Sequence, residues 1–109
     1  MGPKEFALAV REERDALLST FADPAAGSAV ATHLAAANLA PNQRIEALAA
    51  IEAAVSDALH TLLLALDGSA SLAGRQQSFL LRGEGGDVIA NGDGRLEAAA
   101  WDAFYGNGS

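Results

Sequence analysis

The fold is decided by residues 45–66, which read IEALAAIEAAVSDALHTLLLAL and contain neither glycine nor proline. Large apolar residues recur in this stretch at intervals of three and four, the spacing that lines one face of an α-helix. They are Leu48, Ile51, Val55, Leu59, Leu62 and Leu66. The next two residues, Asp67-Gly68, are typical of a helix that ends in a left-handed cap. We therefore predict one long helix whose apolar stripe forms the centre of the core.

Two shorter helices are predicted before the long one. The first covers residues 3–21, where large apolar residues again recur along one face. The second covers residues 24–37, because Asp23 supplies a capping carboxylate directly before a proline. Most of its side chains are alanine, so it offers smooth faces and few large anchors. Pro41 then opens the long third helix.

The composition changes after the long helix. Residues 76–81 and 87–90 flank the glycine-rich residues 83–86, a pattern that predicts a β-hairpin. Phe79 and Leu81 are expected to share one face with Val88 and, in one register, with Ala90. A hairpin of two strands is marginal alone, so it must pack on the helices or pair with another copy.

A short amphipathic helix at residues 95–105 and a frayed tail at about 106–109 complete the chain. The predicted fold class is α+β and predominantly helical. Three N-terminal helices, of which the third is long and central, precede a β-hairpin and a short C-terminal helix. Since no long linker interrupts the pattern, we expect residues 1–109 to form a single domain.

Composition excludes several classes of function. Seven basic against fourteen acidic residues give a net charge of −7, which argues against a nucleic-acid-binding surface. An acidic surface instead suits solubility or a basic partner protein. The chain has no cysteine, so disulfides, thiolate nucleophiles and cysteine-based metal sites are excluded.

The sequence also predicts where the protein resides. Asp57 and His60 interrupt the most apolar stretch, so no membrane span is expected. The first helix is too polar for the apolar region of a signal peptide. We therefore expect a cytoplasmic protein that does not bind membranes.

The glycine and carboxylate clusters carry no recognisable cofactor motif. Val88 and Glu97 stand where a dinucleotide-binding loop would need its third glycine, and no Gly-Lys-Ser/Thr sequence follows. Asp87, Asn91 and Asp93 are oxygen donors, but no frame meets the requirements of a calcium-binding EF-hand loop. We therefore assign no cofactor and no metal.

Three residues are candidate contacts for a partner or a pocket: His60, Trp101 and Tyr105. His60 lies one turn after Asp57, and a carboxylate at that spacing can orient an imidazole. Trp101 and Tyr105 belong to the aromatic-rich last helix, and such residues often anchor interfaces. We expect these two rings to face different sides of the helix. No residue is assigned a catalytic role.

These observations favour a small, soluble, non-enzymatic protein that binds another protein, in the manner of an inhibitor or an immunity-like accessory factor. The alternative is a small-molecule-binding or enzymatic domain, with a pocket between the long helix and the hairpin and His60 as its polar residue. The exposed hairpin edge and the alanine-rich second helix also favour a homodimer over a monomer.

Overall fold

Helices make up most of the chain, and the predicted class is confirmed: the fold is α+β, mostly helical, with a long third helix, a hairpin and a short last helix. The computed structural model describes residues 1–106. The predicted frayed tail therefore lies mostly outside the described residues. The elements are α1 (Pro3–Ala22), α2 (Ala29–Ala36), α3 (Pro41–Leu66), β1 (Leu81–Arg82), β2 (Val88–Ala90) and α4 (Arg95–Tyr105).

The second helix is shorter than predicted. Instead of one helix over residues 24–37, a 3₁₀ turn at Pro24–Ala26 ends at Gly27, whose backbone is left-handed with φ 70°. Helix α2 begins after Ser28, whose hydroxyl accepts a hydrogen bond from the Ala31 amide at 3.0 Å. Gly27 ends the first segment because glycine adopts a left-handed backbone without strain. Ser28 starts the second segment because its hydroxyl accepts a hydrogen bond from an amide that has no partner within the helix.

The hairpin is also shorter than its predicted strands. Leu81 pairs with Ala90 and Arg82 pairs with Val88, in an antiparallel register that is interrupted by a bulge. The irregularity breaks the alternation of side chains, so that Ile89 and Ala90 are both buried while Val88 is exposed. The prediction that Val88 shares a face with Leu81 is therefore wrong, whereas Ala90, expected there in one register, is the residue that pairs with Leu81.

Helices α1 and α3 lie antiparallel and are joined by two arginines. Arg14 Nη1 donates to Ser56 Oγ at 3.1 Å. Arg44 Nη2 donates to the carbonyl of Ala22 at 2.8 Å, at the end of α1. Helix α4 packs against both α1 and α3, and β2 packs on α1 and α4. Helices α1, α3 and α4 therefore form a three-helix arrangement with the hairpin on one side.

One carboxylate fastens the start of α4 to the end of α3. Asp67 is the C-cap residue of α3 and is buried. Its carboxylate accepts hydrogen bonds from the Gly92 amide at 3.1 Å and the Glu97 amide at 2.9 Å. Gly68 follows with a left-handed backbone, φ 79°, as the sequence predicted. A Cβ atom at Gly68 would lie 2.6 Å from Ser78 Oγ, so the close approach of these loops also requires glycine.

The main core is small and lies between α1, α3, α4 and β2. Its buried members are Ala7, Leu63, Ile89, Ala90, Leu96, Ala100, Ala103 and Phe104. Leu59 and Leu66 are partly buried and pack against this cluster. Alanine fills much of it, so helices can approach closely while little apolar area is buried.

The inward face of α3 differs from the predicted one. The buried residues Ser56, His60 and Leu63 follow the spacing of one helical face, and Asp67 continues it. Leu62, predicted to be central, is 46% exposed, whereas its neighbour Leu63 is 2% exposed. The predicted stripe is therefore only partly correct: Leu59 and Leu66 pack against the core, but polar residues occupy much of the buried face, which the apolar pattern does not mark.

The molecule is elongated, with extents of 46 × 30 × 27 Å. Its radius of gyration is 16.3 Å, whereas a compact domain of this length has about 13 Å. Helix α3 is long and apolar enough to cross a membrane by length and composition alone, a test that the core helix of a soluble protein also passes. Only 17% of its apolar window is buried inside the protein. This is a weak indication, which assigns the protein no cellular location.

Leu62 and Leu63 provide a matched test of the inner face of α3. Leu63→Ala should lower the free energy of unfolding by about 2–5 kcal/mol, because it leaves a cavity in the core. Leu62→Ala removes the same atoms from a half-exposed side chain and should cost less than about 1 kcal/mol. Urea denaturation of both variants measures the difference. Equal losses would show that the inward face is assigned incorrectly.

Asp67 and Asp93 form a second matched pair. Asp67→Ala should cost about 2–3 kcal/mol, because it leaves two amides without their charged acceptor in a part-buried site. Asp93 accepts a similar bond from the Arg95 amide at 3.0 Å but is exposed. Asp93→Ala should therefore cost only about 0.5–1 kcal/mol. Thermal denaturation of both variants checks this order, and the reverse order would contradict the role of Asp67.

Candidate interaction site at the end of helix α4

The structure brings together the three residues that the sequence singled out. His60 of α3 is 5% exposed and lies against the aromatic face of α4. Its ring centroid is 4.3 Å from that of Trp101 and 4.9 Å from that of Tyr105, and both pairs are edge-to-face. Phe104 lies 5.9 Å away in a tilted arrangement. Edge-to-face packing of this kind is favourable for aromatic rings.

Trp101 and Tyr105 lie on the same side of α4, so the prediction that they face different sides is wrong. A separation of four residues is close to one helical turn, which places both rings on one face. Their centroids are 5.7 Å apart. Trp101 is 50% exposed and Tyr105 is 49% exposed. The two rings therefore form one surface, which we call the aromatic ridge.

The outer end of the ridge is fixed by a hydrogen bond between helices. The Tyr105 hydroxyl donates to Asp57 Oδ1 at 2.9 Å. This bond, with burial and the charge of Asp57, raises the pKa of Tyr105 above its ordinary value, while Arg14 opposes the shift. Arg14 itself lies with its guanidinium carbon 5.0 Å from the centre of the Phe104 ring. Tyr105 is thus held in place while half of its surface faces solvent.

His60 lies beneath the ridge, in surroundings that favour its neutral form. Burial lowers the pKa of His60 below its ordinary value, and the charge of Asp57 opposes this shift. The Nε2 atom is buried and has no hydrogen-bond partner among residues 1–106. A buried polar atom without a partner costs free energy, and protonation would add a charge that the surrounding rings cannot solvate.

Two grooves flank the ridge. The first, which we call the α4 groove, is open and shallow with a volume of about 590 Å³. It is lined by Lys4, Ala98, Ala99, Trp101, Asp102, Tyr105 and Gly106. The second, the α1/α3 groove, has a volume of about 290 Å³. It is lined by Arg14, Ala49, Glu52, Ala53, Ser56, Asp57, Phe104 and Tyr105. Tyr105 separates the two grooves, and His60 lines neither of them.

The candidate residues are held together by aromatic packing and by one hydrogen bond between side chains. In the described part of the chain, no three His, Asp or Glu side chains come together as a set of metal ligands. The alternative hypothesis placed His60 in a pocket between the long helix and the hairpin, but its aromatic contacts belong to α4. A general base must come within hydrogen-bond reach of its substrate, and His60 is covered by aromatic rings.

Two further residues complete the site. Phe104 was expected to pack in the core against the long helix, and it is buried there, in contact with both His60 and Arg14. Asp57 was considered as the orienting partner of His60, but it instead accepts the hydroxyl of Tyr105. That second contact joins residues 48 positions apart, so no local spacing could indicate it.

Comparisons with protein-family models, curated proteins and solved structures found no match.

His60 makes stability depend on pH in a defined direction. Because the pKa of His60 is lowered from its ordinary 6.5 in the folded protein, the unfolded chain binds the proton more readily. The contribution of neutral His60 to the free energy of unfolding is fully present when the pH is above this ordinary pKa. It decreases as the pH falls below it. We expect wild type to lose stability relative to His60→Gln between about pH 7 and about pH 5, measured by urea denaturation at each pH.

His33→Gln is the matched control for this measurement, because His33 is the other histidine and is exposed on α2. It should leave the pH dependence of the wild type unchanged. A constant difference in stability between wild type and His60→Gln across the pH range would refute the expectation.

Proposed function

We propose that this protein acts by binding another protein, and that the aromatic ridge is the centre of its interface. The observation that carries the proposal is the pairing of Trp101 and Tyr105, each about half exposed and in contact with the buried ring of His60. Tryptophan and tyrosine are the residues that most often dominate the binding energy of protein interfaces. A lone exposed aromatic residue would be ordinary, but two adjacent ones form a patch.

The support beneath the ridge favours binding. Association loses free energy when mobile side chains must be ordered at the interface. Here Tyr105 is held by Asp57 and Trp101 rests on His60 before any partner arrives. Folding has therefore already ordered these two side chains, so that binding a partner costs little further side-chain entropy.

Charge supports a basic partner. The chain has a net charge of −7, and Asp57 and Asp102 lie beside the ridge, in the two grooves. Complementary charge speeds association and excludes partners of like charge. Lys4 is the one basic residue that lines the α4 groove. A small acidic cytoplasmic protein with such a surface fits an inhibitor or an immunity-like accessory factor, which acts by occupying its target.

Affinity capture tests the proposed function directly. The purified protein is used as bait in native lysate at physiological salt, beside a Trp101→Ala/Tyr105→Ala variant. Leu72→Ala/Leu80→Ala is the control, because it removes two apolar side chains that are at least about half exposed and line neither groove. Wild type and control should retain one basic protein in stoichiometric amount, and the ridge variant should lose it, since the aromatic anchors supply most of the affinity.

Two results would refute the proposal. One is that no protein is recovered by the wild type at physiological salt. The other is that a stoichiometric protein is retained equally by the ridge variant, which circular dichroism must first show to be folded. A small molecule that co-purifies with wild type and is lost with the ridge variant would instead support the alternative, a small-molecule-binding domain.

A further inference from the structure

The inner face of α3 is covered along only half of its length. Ser56, His60 and Leu63 are buried where α3 packs against α1 and α4. The same helical face continues toward the start of α3 at Glu52, Ala49 and Ile45, which stand four, seven and eleven residues before Ser56. All three are exposed, and Ile45 is 66% exposed. We call this segment, with the adjacent Ala53, the uncovered stripe.

The uncovered stripe begins where α4 ends. Tyr105 is the last residue of α4 and contacts Asp57, so α4 does not extend beside the preceding turns of α3. Helix α2 packs mainly on α1 and does not replace it. The α1/α3 groove lies at this junction. From Pro41 to Ser56, α3 is about 24 Å long at 1.5 Å per residue. This length leaves room for a second helix beside the first turns of α3, in the position that α4 occupies beside the later turns.

The exposed area of the chain is consistent with an unfilled interface. Its accessible surface is 6802 Å², whereas a folded monomer of 11.1 kDa is expected to expose roughly 5,700 Å². A typical interface buries about 800 Å² on each partner. Part of the excess belongs to the exposed connection at residues 71–78.

The charges of the groove indicate what would fill it. Glu52 and Asp57 contribute two carboxylates. Arg14 is the basic residue in the lining, but its guanidinium is already paired with Asp15 at 3.0 Å and packed over Phe104. A second copy of this chain would bring further negative charge to an acidic surface. Like charges in close contact disfavour binding, so a basic occupant is complementary and a second copy is not.

We infer that the α1/α3 groove and the uncovered stripe bind an amphipathic helix that carries basic residues and belongs to the partner protein. This inference rests on the proposed function and names the form of the partner. Helix-in-groove recognition places apolar side chains at three-and-four spacing on a smooth floor. Ala49 and Ala53 form such a floor, Ile45 extends it, and Glu52 and Asp57 bind the basic side chains at its margin. The exposed ring of Tyr105 closes the groove at the end that faces α4.

The test uses defined peptides and two neighbouring substitutions. The probe is a fluorescent helical peptide of about 16 residues, long enough to span the stripe, with leucines on one face and lysines on the other. A second peptide carries glutamate in place of lysine. Ala53→Arg places an arginine in the groove. Ala54→Arg adds the same side chain at the next exposed position of α3, which does not line the groove. Fluorescence anisotropy measures binding.

The lysine peptide should bind wild type saturably in a 1:1 complex, and the glutamate peptide at least about tenfold more weakly. Ala53→Arg should weaken binding of the lysine peptide by about tenfold or more, and Ala54→Arg by less than about threefold. Circular dichroism confirms that both variants are folded.

Three outcomes would overturn the inference. They are no saturable binding of the lysine peptide, equal binding of the two peptides, and equal effects of the two arginine substitutions. Sedimentation equilibrium adds a fourth: a wild-type dimer that Ala53→Arg alone dissociates would identify a second copy as the occupant. A partner captured through the aromatic ridge but unaffected by Ala53→Arg would leave the proposed function intact while refuting the docked helix.

Discussion

The structure depends on the carboxylate of Asp67. This residue ends α3, and its side chain accepts the amides of Gly92 and of Glu97, which lies in the first turn of α4. First-turn amides have no partner within their own helix, and a negative charge there also complements the helix dipole. One buried side chain therefore sets where α4 begins and turns it back along α3. Ten residues earlier on α3, Asp57 receives Tyr105, so the aromatic ridge inherits its position from this junction.

Polar contacts fix the relative positions of the helices because the core contains few large side chains. Alanine accounts for 26 of the 109 residues, and Leu96 is the one large side chain that is fully buried in the described chain. Alanine allows helices to approach closely but transfers little apolar area from water. The relative positions of the helices must then be specified by directional contacts, namely Arg14 with Ser56, Arg44 with Ala22 and Asp67 with the start of α4.

Local signals predicted the order of elements, but not the faces by which they meet. The long helix, its Asp67-Gly68 end and the glycine-rich hairpin turn are encoded by neighbouring residues, which explains why the fold class was predictable. The inner face of α3 was not, because it is marked by Ser56 and His60, whose partners lie more than 40 residues away. The break at Gly27-Ser28 was visible in sequence, but the surrounding alanines favoured an unbroken helix.

The candidate site shows the same division. Residue type and local spacing selected His60, Trp101 and Tyr105, yet the prediction placed Trp101 and Tyr105 on different sides of one helix. Their placement side by side has a physical consequence. A buried ring with an unpartnered Nε2 is a costly way to fill the space beneath two aromatic residues, because an apolar side chain there would need no hydrogen bond. Folding alone would favour burying Trp101 and Tyr105 over an apolar neighbour. In the proposed interface, half-exposed rings held over His60 would keep apolar area available in a fixed geometry.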